Sequence, residues 1–453
     1  MNERGGDASI ERAPRIKEHW LTGSLQPYLR APLEFYSECA QKYGDIAFGR
    51  FAHFPICVLS HPRFVEELIV QDAHNLEQSQ FLREPLKPLL GDGLLIAGSE
   101  SHARQRPLVE KAVRGGIAAA WTEEVVGAAE RFAASWANGE PRDLYAEMLR
   151  VISEVLAGAA FGANPHAAET SAAVNRAVNL VTDQIQQFPP IPSFVPTPRN
   201  LEVRKALREM EQALSAAIRD ARGNSGAKSG LLSALGAARG EAGEQLSDRE
   251  IRDQIVMIHV AVRQNLTAAL TWTFYLLAQN ELSYSKVSRE VESVLGIKRP
   301  GLTEAEQLVY CDLVVKETLR LYPSVWQILR HVARDAQVGG HTIPAGTQTL
   351  MSQWVFHRDP RFFDDPETFI PERWEHSRED WKRAYFPFGM GPRGCFGERL
   401  TFLTLKLVVA VLTRKFRLQL LPGQQVKPLP VFALRPAGRV LMQVQIQRTQ
   451  DAP

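Results

Sequence analysis

One stretch of the chain sets the scale of whatever it folds into. "LSDREIRDQIVMIHVAVRQNLTAALTWTFYLLAQN", residues 246–280, holds neither glycine nor proline. Ser247 and Glu250 have the spacing of a capping box, in which each side chain accepts from the other's backbone amide. A helix starting there runs roughly 32 residues, about 48 Å at 1.5 Å per residue. Apolar residues cover much of its circumference, so it has to cross a core rather than lie on one.

Composition supports such a core. The 453 residues are 45% hydrophobic and 23% charged, a globular balance. The net charge of +2 lacks the excess of a nucleic-acid binder, so no nucleic-acid partner is expected. Cys39, Cys57, Cys311 and Cys395 lie far apart, which argues against a disulfide framework and suits a reducing cytoplasm. The polar N-terminus does not read as a signal peptide, and the run Leu407 to Leu412 is far too short to span a bilayer. The expectation is a cytoplasmic protein without a membrane anchor.

Along the chain, the first hundred residues read as short strands and turns. Asp45 to Pro62 is the clearest, with β-branched and aromatic residues bounded by glycine and proline. From about residue 100 the apolar spacing becomes helical, with a break at Gly139 and Pro141. Phe188 to Asn200, "FPPIPSFVPTPRN", reads as a long surface loop, either an inert connector or a mobile lid. Arg222 to Gly230 and Gly236 to Gln245 read as flexible linkers. A further helix ends in "LVVKETLRLYPSV", and "VGGHTIPAGTQTLMSQWVFH" is rich in strand formers. The fold class is mainly α with small β-sheets. One domain spans 1–453, with a β-rich part at about 20–75 and a helical part at about 76–453.

The chemistry centres on "FPFGMGPRGCFG", Phe386 to Gly397. Cys395 has no second cysteine nearby. It sits where a glycine-rich loop feeds an amphipathic helix, and free amides with the helix dipole favour a thiolate there. A buried structural cysteine suits Cys39, Cys57 and Cys311, but explains neither the glycine spacing nor Arg393.

These residues resemble the cysteine loop of the cytochrome P-450 superfamily of haem-thiolate proteins. The pattern is carried by Phe388, Gly391, Arg393, Cys395 and Gly397. Glu317 and Arg320, three apart on one helix, and Arg373 in "PERW" strengthen it by their order and spacing. The resemblance covers nearly the whole chain. It implies the family fold, with haem between the long helix and the cysteine loop. Cys395 becomes the axial thiolate ligand of haem b, pushing electron density onto iron. Glycines let amides approach the sulfur, and Phe388 packs beside it. His102 and Arg106, four apart in "SHARQRPLVEKA", together with Arg330 and Arg393, become ligands to the haem propionates. Taken singly, each is better explained as a solvated surface charge; it is the family register that favours propionate binding. Glu317, Arg320 and Arg373 form a buried ion network that holds the cysteine loop.

The long helix departs from the family. Where members carry a glycine and then an acid–alcohol pair that relays protons in oxygen activation, this chain reads Ala261, Val262, Arg263, Gln264, Asn265. Amides do not ionise, so Gln264 is no general acid, while Asn265 keeps an NH₂ donor. Thr267 lies about 200° further round the helix and should face elsewhere. Arg263 reads as an ion pair on the far side of the helix, or else as an anchor for a substrate carboxylate.

Three functions follow. The family favours a monooxygenase fed by an external ferredoxin- or flavodoxin-type donor. A peroxide-using or rearranging haem-thiolate enzyme is the alternative, and a non-catalytic haem protein the third. The segments that the resemblance assigns to substrate are Leu76 to Leu95, the Phe188 loop, the long helix, Ser324 to Leu329 and Val431 to Pro436. They are largely apolar, with Trp326, Phe188, Phe194 and Phe432. A hydrophobic small molecule, such as a terpenoid, polyketide, fatty acid or aromatic natural product, is the expected substrate.

Overall fold

The computed structural model describes residues 14–114, 117–162, 164, 166–185, 194–223, 230–376 and 378–447. They fold into two compact units. The first holds the described residues of 14–81, 327–366 and 378–394, and the second those of 82–326, 367–376 and 395–447. The chain passes from the first to the second between Gly394 and Cys395. The division therefore does not fall at residue 75, because later segments return to the first unit.

The first unit is built on a five-stranded sheet. Its strands are β1 (Ile46–Phe51), β2 (Phe54–Leu59), β3 (Leu76–Gln78), β4 (Ile328–Val332) and β5 (Gln348–Met351), in the order β1-β2-β5-β4-β3. Only β2 and β5 run parallel. The hairpin expected at Asp45 to Pro62 is β1 and β2. The N-terminal strand reading is otherwise corrected: helices Leu25–Arg30, Pro32–Tyr43 and Gln80–Leu90 occupy much of it. Pro32 opens its helix at the first turn, where a missing amide costs nothing. Cys57, Leu59, Leu68, Ile328, Val332, Met351 and Phe386 pack together beside the sheet.

The second unit is helical around the predicted central helix, Asp248–Gln279, capped by Ser247 and Glu250 in a complete capping box. It packs on helices Leu144–Phe161, Val309–Leu321 and Glu398–Lys415. From Ile251 to Phe274 it is buried except at Ala261, Val262, Gln264 and Asn265. Val262, Gln264 and Asn265, which depart from the usual family sequence, thus lie where the helix surface is only partly buried. Helix Pro198–Gly223 takes over the end of the expected proline loop and the start of the next linker. Residues 186–193, with Phe188, and 224–229 lie outside the described residues. Gly236 likewise belongs to helix Leu231–Ala237. Pro141–Asp143, Leu441–Ile446 and Phe416–Leu420 form a small antiparallel sheet, and two further two-stranded sheets complete the α+β class.

Candidate functional site

In the first unit, Gly389 and Gly391 have φ of 72° and 69°, the left-handed region that side chains disfavour. A Cβ on Gly391 would fall 2.6 Å from the Ile69 carbonyl oxygen. Gly391 is therefore required by the turn and by its contact with the Glu67–Gln71 segment, rather than by an approach to sulfur. Arg330 lies on β4, where alternation buries Ile328, Arg330 and Val332 on one face. Its guanidinium donates to Gln78 Oε1 at 2.9 Å and to the Leu329 carbonyl at 2.8 Å. Burial, then the like charge of Arg393, pull it down to about 9. Arg330 is thus buried with neutral partners, and no carboxylate pairs with it among the described residues. Such an arrangement calls for an anion, and a carboxylate suits the guanidinium fork. Phe388 is half-buried in the same unit.

In the second unit, Cys395 precedes helix Glu398–Lys415, whose N-cap is Gly397. It is exposed, whereas Cys39, Cys57 and Cys311 are buried. The Gly397 amide donates to Cys395 Sγ at 3.3 Å. A Cβ on Gly397 would sit 3.7 Å from that sulfur, an ordinary contact, so sterics alone do not demand glycine there. The expectation that the helix start favours a thiolate is met only in part. Although the residue keeps solvent contact, its neighbours desolvate the sulfur and push the thiol up, more than the Gly397 and Glu398 amides and Arg106 pull it down. The thiolate is favoured once a metal cation joins those donors.

His102 and Arg106 lie on helix Ser99–Arg114, His102 buried. Arg106 donates from Nε to Glu110 Oε1 at 2.5 Å and lies 5.3 Å above the Phe396 ring. It is therefore already ion-paired, one residue from the cysteine. In the central helix, the Asn265 side-chain oxygen is buried and accepts no hydrogen bond among the described residues. The Asn265 carbonyl accepts from Ser324 Oγ at 3.0 Å. Thr267 is fully buried, unlike Gln264 and Asn265, as its angular position predicts. Arg263 is corrected on its partner. It donates to Ser153 Oγ at 3.1 Å and Asn179 Oδ1 at 2.8 Å, neutral acceptors, and makes no ion pair among the described residues.

Ala261, Val262, Leu95, Phe396, Leu400 and Phe432 are half-buried around one apolar cluster. Trp326 is different: it is buried and pins the chain by donating to the Val431 carbonyl at 2.8 Å. Phe194 is exposed. The predicted network is present and larger than expected. Glu317 accepts from Arg320, from Arg373 at 3.0 Å, from Trp374 Nε1 at 2.9 Å and from the Ile370 amide at 3.0 Å. Trp374 adjoins Arg373 in "PERW", a signal available in the sequence.

Among the described residues no helix is long and apolar enough to cross a membrane. The family model described as cytochrome P450 matches residues 14–443. The chain is 30% identical to cyclooctatin synthase of Streptomyces melanosporofaciens over 91% of either chain. It is 29% identical to that organism's cyclooctat-9-en-7-ol 5-monooxygenase, over 93% of this chain and 95% of the relative. To pentalenene oxygenase of Streptomyces avermitilis it is 27% identical, over 90% and 91%. A cysteine loop of the family pattern and a match across nearly all of its length place this oxidoreductase in the cytochrome P450 family, whose members carry haem on a cysteine thiolate.

Proposed function

We propose that the protein is a haem-thiolate monooxygenase acting on a terpenoid-like hydrophobic molecule, with Cys395 as the ligand of haem b. The observation that carries this reading is the amide of Gly397 donating to the sulfur of an exposed cysteine at a helix start. Each part of the group has residues of suitable chemistry: the Cys395 sulfur with its amide donor suits a metal, and the buried Arg330 without a carboxylate partner suits a propionate. When bound, haem supplies the oxidising chemistry, and a thiolate ligand favours O–O cleavage. Arg330 and Arg393 take propionate charge, with His102 and Arg106 as further donors. The Gly397 amide holds the sulfur, and Phe388 and Phe396 keep water from it. Ala261 leaves room on the partly buried stretch of the central helix. Asn265 and Gln264 hold water or substrate by hydrogen bonds, and neither releases a proton by ionising. Electrons come from an external ferredoxin- or flavodoxin-type partner.

The terpenoid assignment is supported by the names of the two oxygenase relatives and by the apolar residues Leu95, Val262 and Phe432. A second reading, peroxide use or rearrangement without oxygen activation, is favoured by the two amides where the family has an ionisable pair. Turnover of a panel of cyclised terpenes decides between them, with donor and oxygen in one arm and hydrogen peroxide alone in the other. Donor-dependent oxygenation is expected. Donor-independent turnover would replace the first reading by the second.

A further inference from the structure

Residues 91–97 join helix Gln80–Leu90 to helix Ser99–Arg114 and lie hard against the start of the central helix. Gly91 has φ of 57°, and a Cβ there would fall 2.2 Å from Asp253 Oδ2. The Asp92 amide donates to Asp253 Oδ2 at 2.8 Å, and the Leu94 amide to Gln254 Oε1 at 3.2 Å. Gln254 Nε2 then donates to Gln105 Oε1 at 2.6 Å. Gln105 Nε2 donates to Ser101 Oγ at 2.6 Å, and Ser101 Oγ donates to Asp92 Oδ2. The circuit returns to the loop from which it starts. Arg252 buttresses it, donating to Asp253 Oδ1 at 2.8 Å and to the Leu89 carbonyl at 2.9 Å.

Both glutamines are 0% exposed. A buried amide pair used head to tail has direction, which an apolar pair lacks. Each amide offers a donor at one end and an acceptor at the other, and reversing either leaves buried groups unpaired. The ring therefore fixes the register of the loop on the central helix. Helix Ser99–Arg114, on which Gln105 lies, is held independently by its own buried residues Leu108, Val109, Ala112 and Val113, so the ring acts on the loop. Leu95, in the middle of the loop, stays half-buried against the cluster that holds Val262 and Phe432.

We propose that Gln105 and Gln254 are positioning residues that hold Leu95 as a rigid wall for a bulky apolar ligand, and so set how tightly such a ligand is held. The proposal rests on the haem-thiolate reading, because its readout is the haem spectrum. The test compares the haem-loaded protein with Gln105→Leu, Gln254→Leu, the double variant and the milder Ser101→Ala. Two probes, imidazole and 4-phenylimidazole, are titrated by the shift of the Soret band, and hydrogen exchange is followed at residues 91–97.

Haem content and imidazole affinity should stay at parent values. The dissociation constant of 4-phenylimidazole should rise about tenfold, and exchange at the Asp92 and Leu94 amides about tenfold or more. The double variant should be no worse than either single one, because one circuit is broken in each case. Equal weakening of both probes would overturn the proposal, since the ring would then act on the haem surroundings. Faster exchange with unchanged affinity for both probes would also overturn it. If the leucine variants do not fold, Ser101→Ala decides by the same ratio of affinities: it removes the close route from Gln105 to Asp92 and leaves both amides in place, with only the long contacts of Gln105 Nε2 to the Asp92 carbonyl and Oδ2, 3.5 and 3.4 Å, remaining. A parent protein that loads no haem sinks the haem reading instead, and exchange at Asp92 and Leu94 then decides whether the ring holds the loop.

Discussion

Arg320 grips both oxygens of Glu317, Nε to Oε2 at 2.9 Å and Nη2 to Oε1 at 2.8 Å, with both side chains 0% exposed. The two lie three residues apart on helix Val309–Leu321. The pair is more than a local i,i+3 contact. Glu317 also anchors Ile370, Arg373 and Trp374, and Arg320 donates to the Thr368 carbonyl at 3.0 Å, so one carboxylate and one guanidinium fix the whole 368–374 segment.

Removing either partner leaves a buried charge. Glu317→Ala or Arg320→Ala should lose about 3–5 kcal/mol and give largely insoluble or unfolded protein. Trp374→Phe, which deletes one hydrogen bond to a charged acceptor, should cost about 1.5–3 kcal/mol and still fold. Denaturant unfolding with circular dichroism checks both. Soluble, fully stable Glu317→Ala would show that the network does not hold the fold.

Cys395→Ala should abolish the thiolate-type Soret band of the reduced carbon monoxide complex. Substituting Cys39, Cys57 or Cys311 should leave that band in place, since burial pushes those thiols up, Cys39 to about 12. Persistence of the band in Cys395→Ala would move the ligand elsewhere.

Arg330→Leu removes a buried charge that has no carboxylate partner among the described residues. The haem-free protein should be as stable as the parent, or more so, while haem dissociates about tenfold faster for want of a charge-assisted partner. Transfer of haem to an excess of apomyoglobin measures the rate. Faster unfolding of the haem-free variant with unchanged haem loss would make Arg330 a structural residue only.

His259 is buried on the central helix, 5.9 Å from the Phe161 ring. Burial and then Arg263 pull it down to about 4, against an opposing pull from the Ile255 carbonyl, and neither ring nitrogen makes a hydrogen bond of normal geometry among the described residues. The unfolded chain takes up this proton near pH 6.5, before the folded protein does. The contribution of the neutral ring is complete above about pH 6.5. It is lost as pH falls through about 4, up to about 3 kcal/mol in all. His259→Leu should flatten the acid limb of stability against pH and change little at pH 7.5. Denaturant midpoints of both proteins at pH 7.5, 5.5 and 4.5 test this, and parallel curves would refute it.

Gln264→Glu with Asn265→Thr restores the residue types usual in the family. If protons arrive through this part of the helix, the ratio of product formed to reducing equivalents consumed should rise severalfold. Less hydrogen peroxide should then reach the solution. A fall in turnover with no change in that ratio would mean that the native amides hold the substrate, the outcome that supports the alternative reading.

Local chemistry made several elements readable from the chain alone. The capping box and the unbroken run after it set the start and length of the central helix. Glycines at 389 and 391, and the cysteine after them, marked a strained loop feeding a helix. The spacing of Glu317 and Arg320 put them on one face. Each is a relationship within a few residues, where backbone sterics and hydrogen bonding act without help from distant parts of the chain.

What depended on distant residues was not legible. The N-terminal segment read as strands and turns because prolines interrupt it, yet Pro27, Pro32, Pro85 and Pro88 all lie within its helices, where packing tolerates them. That Arg263 meets Ser153 and Asn179 rather than a carboxylate depends on helices 84 and 110 residues away in the chain. Gly391 was read as serving the sulfur, yet what it must clear is the carbonyl of Ile69. The ring through Gln105 and Gln254 closes across a separation of 149 residues. The sequence alone determined where the central helix begins and that a glycine-rich loop feeds a helix after Cys395, because capping, turn sterics and helical periodicity are local. Tertiary structure alone decided which polar group faces which, because in a buried site the partner is whichever donor or acceptor packing brings within about 3 Å.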